Sequence, residues 1–261
     1  MPKFVLIIFL IALSVTLKAQ TWEIGTSAGG SGYMGDLNPN NPVKISGYAL
    51  GGFIKRNFNG YLSIRGSLTL GKISAADSNS SSAQFRERNL SFTTTLQELS
   101  LTGEFNFMHY IPEAGRNKFT PFIFLGAAAA SYFPYATYKG KNYSLRGART
   151  EGEKTNYSTT TISPIYGAGV KYNIAGKFTL GAEMGYRNTN TDYLDDVSGN
   201  YVDKGNAPTV SKALADRSGE KTGIYIGTPG TQRGDLRPHD TYFFTQITLS
   251  YTFVTQKCYF Q

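Results

Sequence analysis

The stretch Thr241-Tyr-Phe-Phe-Thr-Gln-Ile-Thr-Leu-Ser-Tyr-Thr-Phe253 decides the fold. Phe243, Thr245, Ile247, Leu249, Tyr251 and Phe253 fall on one side of an extended chain; Phe244, Gln246, Thr248, Ser250 and Thr252 fall on the other. This is the period of two that marks a strand, not the 3.6 of a helix. The pattern recurs upstream. Phe178, Leu180, Ala182, Met184 and Tyr186 oppose Thr179, Gly181, Glu183, Gly185 and Arg187. Ile162, Pro164, Tyr166, Ala168, Val170, Tyr172 and Ile174 oppose Thr161, Ser163, Ile165, Gly167, Gly169, Lys171 and Asn173. Leu62, Ile64, Leu68 and Leu70 oppose Ser63, Arg65, Ser67 and Thr69. Pro164 has no N–H for a ladder, so it belongs at a bulge or beyond the regularly bonded stretch.

Extended over the chain, the reading gives eight strands, near 22–33, 45–56, 60–72, 93–108, 119–133, 160–174, 177–188 and 241–254. Each is about nine residues or longer, enough for a tilted strand to cross a membrane. The connections alternate. Tight turns fall at 57–60 and 175–176 and a medium one at 109–118, while long loops cover about 34–44, 73–92, 134–159 and 189–240. Short turns on one side and long loops on the other predict an all-β, eight-stranded antiparallel transmembrane outer-membrane β-barrel, with turns and both termini in the periplasm. Strand length and loop asymmetry weigh against a soluble lipocalin-like barrel, in which the apolar face would point inward.

The leader agrees. Residues 1–20 read MPKFVLIIFLIALSVTLKAQ, with Lys3 as a basic n-region, Phe4 to Leu17 as an apolar core and a cleavage site after Ala19. This is a signal peptide over 1–19, too short to serve as a spanning helix. The barrel is expected over 20–254 and a short periplasmic tail over 255–261, which carries the single cysteine, Cys258.

Composition narrows the function. The 261 residues include 29 glycines and 14% aromatics, which argues against disorder. One cysteine excludes an intrachain disulfide framework, and two histidines leave little for a histidine-rich zinc centre. The formal net charge is +8; Lys3 and Lys18 lie in the leader, which leaves +6 on the mature chain. No concentrated Lys/Arg stripe accompanies it, so nucleic acid is not an expected partner. Outer-membrane lipid and lipopolysaccharide phosphates are. His239-Asp240, with Ser211 or Ser218, offers the elements of an acid–base pair, but no G-x-S-x-G elbow is present. No enzyme, cofactor or metal site is expected.

The polar faces carry Glu23, Lys55, Arg65, Glu98, Glu104, Lys171, Glu183 and Arg187, four bases and four acids. Directed into a narrow barrel they must neutralise one another, and an interior of this size is filled by side chains, so no open pore is expected. The loop acids Asp192, Asp195 and Asp196 could recruit a hard cation, but their spacing is not that of an EF-hand, and solvated acids are the preferred reading. Arg86 and Arg88, flanking Glu87, read as a solvated or headgroup-facing edge.

Three segments carry a resemblance. They are WEIGTSAGGSGYMGDL at 22–37, NTDYLDDVSGNYVD at 190–203 and DTYFFTQITLSYTF at 240–253. Together they resemble the outer-membrane β-barrel component of the type IX secretion system of Bacteroidota, the PorG family. The resemblance implies a structural role in secretion and gliding motility, anchoring or docking a periplasmic ring made of a lipoprotein and its partner subunit. It supplies no catalytic residues. Gly35, Asp36, Leu37, Asp192, Tyr193, Leu194, Asp195 and Asp196 match its recognisable segments, either as partner contacts or as shapers of the barrel mouth. The turn residues Arg56, Asn57, Phe58, Asn59, His109, Arg116, Asn117 and Lys118 are the expected docking surface for the ring. The alternative function is a surface adhesion or ligand-binding barrel that works through loops 134–159 and 189–240.

Overall fold

A computed structural model describes residues 21–112 and 117–254. The leader, the tail with Cys258 and the turn residue Arg116 lie outside the described residues. The strands are β1 (Thr21–Met34), β2 (Ile45–Asn57), β3 (Leu62–Ala76), β4 (Ser91–Asn106), β5 (Phe119–Tyr138), β6 (Lys141–Ser144), β7 (Thr160–Ala175), β8 (Phe178–Asn188) and β9 (Thr241–Val254). Every pairing is antiparallel. β4 pairs with β5 and β9 pairs with β1, in register from Thr21↔Val254 to Met34↔Thr241. Eight strands therefore close into a barrel, and β6 stands outside it, paired only with β5.

Two prolines show how the ladders accommodate a missing donor. The β7–β8 register begins at Ile165↔Arg187, so Pro164 falls one residue past its end. Pro134 sits between the β5–β7 ladder, which stops at Ser131↔Thr160, and the β5–β6 ladder, which starts at Tyr135↔Ser144. The proline therefore does not end β5, which runs to Tyr138 rather than stopping near 133. The strand then reverses through Lys139 and Gly140, at φ 47° and 76°. Both central residues are left-handed, as a type I′ hairpin turn requires.

The long connections depart further from the expectation of bare loops. The second holds α1 (Ala83–Arg88), the third α2 (Leu145–Ala148), and the fourth α3 (Thr209–Ala215) and α4 (Gly219–Thr222). The short connections stay tight. Asn59 Oδ1 accepts from the Tyr61 and Leu62 amides, both at 2.8 Å. Gly176, at φ 51°, turns the chain between β7 and β8.

The apolar face of the barrel wall points outward. Ile24, Leu50, Leu68, Leu99, Leu125, Ile162 and Ile247 are all more than half exposed. Aromatics flank this belt: Trp22, Phe105, Phe119, Phe178 and Phe253 towards the short turns, Tyr48, Phe133 and Tyr166 towards the long loops. A soluble barrel hides such a face, whereas a lipid-embedded barrel presents it between aromatic girdles. The protein is thus integral to the outer membrane, and the short turns and the ends of β1 and β9 lie on the periplasmic side. Leu68→Arg, in the middle of the belt, is expected to cost about 2–4 kcal/mol of folding free energy. A urea titration into lipid vesicles, read by the folded and unfolded mobilities on a gel, measures it.

Candidate functional site

The lumen holds a lattice of charges. Glu23, Lys55, Arg65, Glu98, Glu104, Lys171 and Arg187 are buried there, and the Glu183 side chain is only 10% exposed. Lys55 Nζ lies 2.8 Å from Glu23 and 3.8 Å from Glu104. Arg65 reaches Glu104 at 3.2 Å and Glu183 at 2.7 Å. Lys171 reaches Glu104 at 2.5 Å, and Arg187 grips Glu98 with two nitrogens at 2.9 Å. Glu104 is therefore shared by three cations. Neutral donors complete the shell: Asn57 to Glu23 at 2.7 Å, Ser250 to Glu23 at 2.9 Å and Tyr242 to Glu98 at 2.7 Å. Aromatic rings fill the spaces between. Lys171 Nζ lies 4.0 Å from the Phe122 ring centre and Arg187 Cζ 4.5 Å from that of Phe244. The cavity lined by Arg65, Phe124, Glu183, Arg187 and Gln246 measures only about 10 Å³, at most the room one water needs.

Nearer the outside, the inner face changes character. Tyr33, Ile73, Phe92, Leu96, Tyr132, Tyr242 and Phe244 are buried together with the loop residues Leu37, Leu90, Leu145, Leu194, Val197 and Leu214. The expected polar lumen thus gives way to an apolar core that runs without a break into the four long loops. The loops form a folded cap seated in the barrel mouth.

Two arginines lock that cap. Arg88, at the end of α1, binds Asp77 through Nε and Nη2, both at 2.7 Å. It also donates to the Arg233 carbonyl at 2.5 Å and the Asp36 carbonyl at 3.1 Å. Arg233 donates to Glu151 Oε1 at 2.8 Å, the Asp196 carbonyl at 2.7 Å and the Ala215 carbonyl at 3.1 Å. The Arg88 guanidinium thereby ties the second loop to the first and the fourth, and that of Arg233 ties the fourth loop to the third. Tyr132, Tyr157 and Tyr193 stack nearly parallel, with ring centres 6.5 and 4.4 Å apart, and Tyr157 donates to Asp196 Oδ1 at 2.7 Å.

Arg88 is therefore a buried ion-pair member and not a solvated edge. The loop acids are corrected likewise: Asp192, Asp195 and Asp196 are buried, 8%, 2% and 0% exposed. Burial pushes the Asp192 and Asp196 carboxyls up to about 7. The segments Gly35–Leu37 and Asp192–Asp196 meet at the mouth, where Asp36, Leu37 and Leu194 are buried. Their place is inside the cap, shaping it. Asp240 accepts from the Leu194 amide at 2.9 Å and the Tyr33 hydroxyl at 3.2 Å, which commits it to the same packing. Arg233 and Glu151 are not legible in the sequence because they meet across 82 residues, and Asp77, although only 11 residues from Arg88, lies in a polar loop with no motif that announces the pair.

A family model described as Domain of unknown function (DUF6089) matches residues 2–206. The chain belongs to this family. The match runs through β8 and into the fourth loop. No curated protein matches the sequence. Similar solved structures include Ail, the attachment invasion locus protein of Yersinia pestis, at 13% identity and TM-score 0.42, covering 90% of this chain and 100% of that one. OprG from Pseudomonas aeruginosa gives 10%, 0.43, 90% and 97%. Outer membrane protein W of E. coli gives 12%, 0.40, 88% and 97%.

The periplasmic rim of this DUF6089 barrel is small. Arg56 Cζ lies 5.5 Å from the Trp22 ring centre and 5.6 Å from that of Phe58. Asn57 turns inward, towards Thr21 and Glu23. His109 packs edge-on against Tyr61 at 5.3 Å, and Asn117 donates to its carbonyl at 2.9 Å. Asn59, Asn117 and Lys118 are exposed. In the lumen, Glu104→Ala would take from Lys171 its carboxylate partner and from Lys55 and Arg65 one of two, and a loss of about 3–5 kcal/mol is expected. The shift in the urea midpoint of the heat-modifiable species checks this, with Glu104→Gln retaining part of the stability.

Proposed function

We propose that this barrel is a non-conducting membrane anchor that presents its extracellular cap to a protein partner. The observation that carries the reading is an apolar ridge on the outside of the cap. Ile224, Tyr225 and Ile226 are 69%, 67% and 41% exposed. The ridge is held in place: the Ile226 amide donates to Ser218 Oγ at 2.9 Å and the Gly227 amide to Asp216 Oδ2 at 2.8 Å. Beside it runs a groove of about 480 Å³, lined also by Ala83, Arg86, Glu87 and Lys221. Exposed apolar side chains rimmed by charge are the composition of a protein contact, and the filled lumen supports the non-conducting part of the proposal. Tyr225→Glu combined with Ile226→Glu is expected to lower partner recovery in cell-surface cross-linking by about tenfold, with heat-modifiability unchanged. Full recovery of the same partner from the double variant would sink the reading.

A second reading places the partner in the periplasm. It is supported by the resemblance to the PorG barrels of the type IX secretion system and by the aromatic and basic rim of Trp22, Arg56, Phe58 and Lys118. Here the chain docks the ring lipoprotein and its partner subunit, and secretion and gliding depend on it. Arg116→Glu with Lys118→Glu is expected to reduce recovery of the ring in a pull-down and to impair secretion. Unchanged ring recovery with normal secretion would rule those turns out.

A further inference from the structure

Three carboxylates that are far apart in sequence converge at the barrel mouth. Asp36 follows β1, Asp195 lies early in the fourth loop and Asp240 ends that loop, directly before β9. They are 1%, 2% and 0% exposed, and one oxygen from each lies within 4.8 Å of the others. Among the described residues none of the three forms an ion pair with a basic side chain.

Their hydrogen bonds do not balance three negative charges. The Val197 amide donates to Asp195 Oδ1 at 2.9 Å and the Leu194 amide to Asp240 Oδ2 at 2.9 Å. The Asp235 amide donates to Asp36 Oδ1. Tyr33 has one hydroxyl proton, and both Asp195 Oδ2 and Asp240 Oδ1 lie within its reach. Asp36 Oδ2 is buried and meets no donor at all. A carboxylate oxygen removed from water without a partner is strongly unfavourable. Gly35 closes the cluster from the backbone side, since a side chain there would overlap Asp240 Oδ1 and the Tyr33 hydroxyl.

We propose that Asp36, Asp195 and Asp240 bind one hard divalent cation, calcium by the character of the donor set. All the donors are oxygens. Calcium binds oxygens at about 2.3–2.6 Å, so two ligands on opposite sides of the ion stand about 4.8 Å apart. The three oxygens, mutually within 4.8 Å, lie in the range of separations that ligands of one such ion span. Three carboxylates buried this close, with no basic side chain paired to them, repel one another where water cannot screen them. A bound dication relieves that repulsion. It would also join the exit of β1 to both ends of the 189–240 loop, and so fasten the cap to the barrel.

The test uses the full chain refolded in detergent. With CaCl2 at saturation against EGTA, the thermal midpoint is expected to rise by about 5 °C. Terbium luminescence excited through tyrosine is expected to appear and to be quenched by added calcium. Asp195→Asn and Asp36→Asn, which keep the side-chain shape, are each expected to abolish both signals. Asp192→Asn is the control that keeps them. Absence of terbium luminescence and of a calcium-dependent shift in the wild-type chain would overturn the proposal in favour of protons shared among the acids. Signals that survive in both Asn variants would overturn it as well, by placing the ion elsewhere.

Discussion

Glu104 and the three cations around it set the terms for the rest of the molecule. An eight-stranded barrel is too narrow for a water channel once its side chains are in place. A charge on its inner face must therefore find a protein partner or distort the wall. Lys55, Arg65 and Lys171 all reach Glu104, while Glu23, Glu98 and Glu183 serve the remaining demand. The lattice crosses the lumen from β1 and β2 to β4, β7 and β8, so it braces the wall as well as filling it. Removing Glu104 or Glu98 leaves Lys171 or Arg187 buried without its carboxylate, which gives this polar plug more consequence than its net energy implies.

On that plug rests an apolar layer, and on the apolar layer rests the cap. Phe244 is in both: its ring faces the Arg187 guanidinium below and it belongs to the core shared with Leu37, Leu194 and Leu214 above. Tyr242 plays the same double part, donating to Glu98 while packing in that core. The loops consequently have a floor to fold against. This explains how a connection of some fifty residues reaches order through short helices and buried arginines rather than remaining a solvated strap.

The barrel was legible where its two faces contrast. Over Ile162–Ile174 and Phe178–Arg187 apolar and polar residues alternate cleanly, and the wall residues face lipid. The mouth was not legible, for two physical reasons. First, the inner face there is as apolar as the outer one. Within Tyr242-Phe243-Phe244 all three rings are buried, so alternation carries no contrast. Second, the polar contacts of the cap are non-local. Arg88 meets the carbonyl of Arg233, 145 residues away, and Asp36 meets the amide of Asp235, 199 residues away. An isolated Asp or Arg in a Gly-rich loop looks solvated, because nothing nearby in the chain shows what will cover it.

The distribution of charge follows from the same constraint. The eight lumen charges are equal in sign count and cancel. The two buried arginines of the cap cancel against Asp77 and Glu151. None of these groups contributes to the chain's positive excess, which therefore belongs to the parts that meet water and phosphate, with Lys118 at the periplasmic rim and Arg86 and Lys221 beside the outer ridge among them. Among the described residues Asp36, Asp195 and Asp240 form a buried cluster of one sign with no basic partner. In the lumen and around Arg88 and Arg233 the fold supplies the opposite charge from its own sequence. At the mouth it supplies three amides, one hydroxyl and a glycine that draws the backbone close. That is the arrangement of a chain that orients carboxylates and leaves their neutralisation to the medium outside the cell.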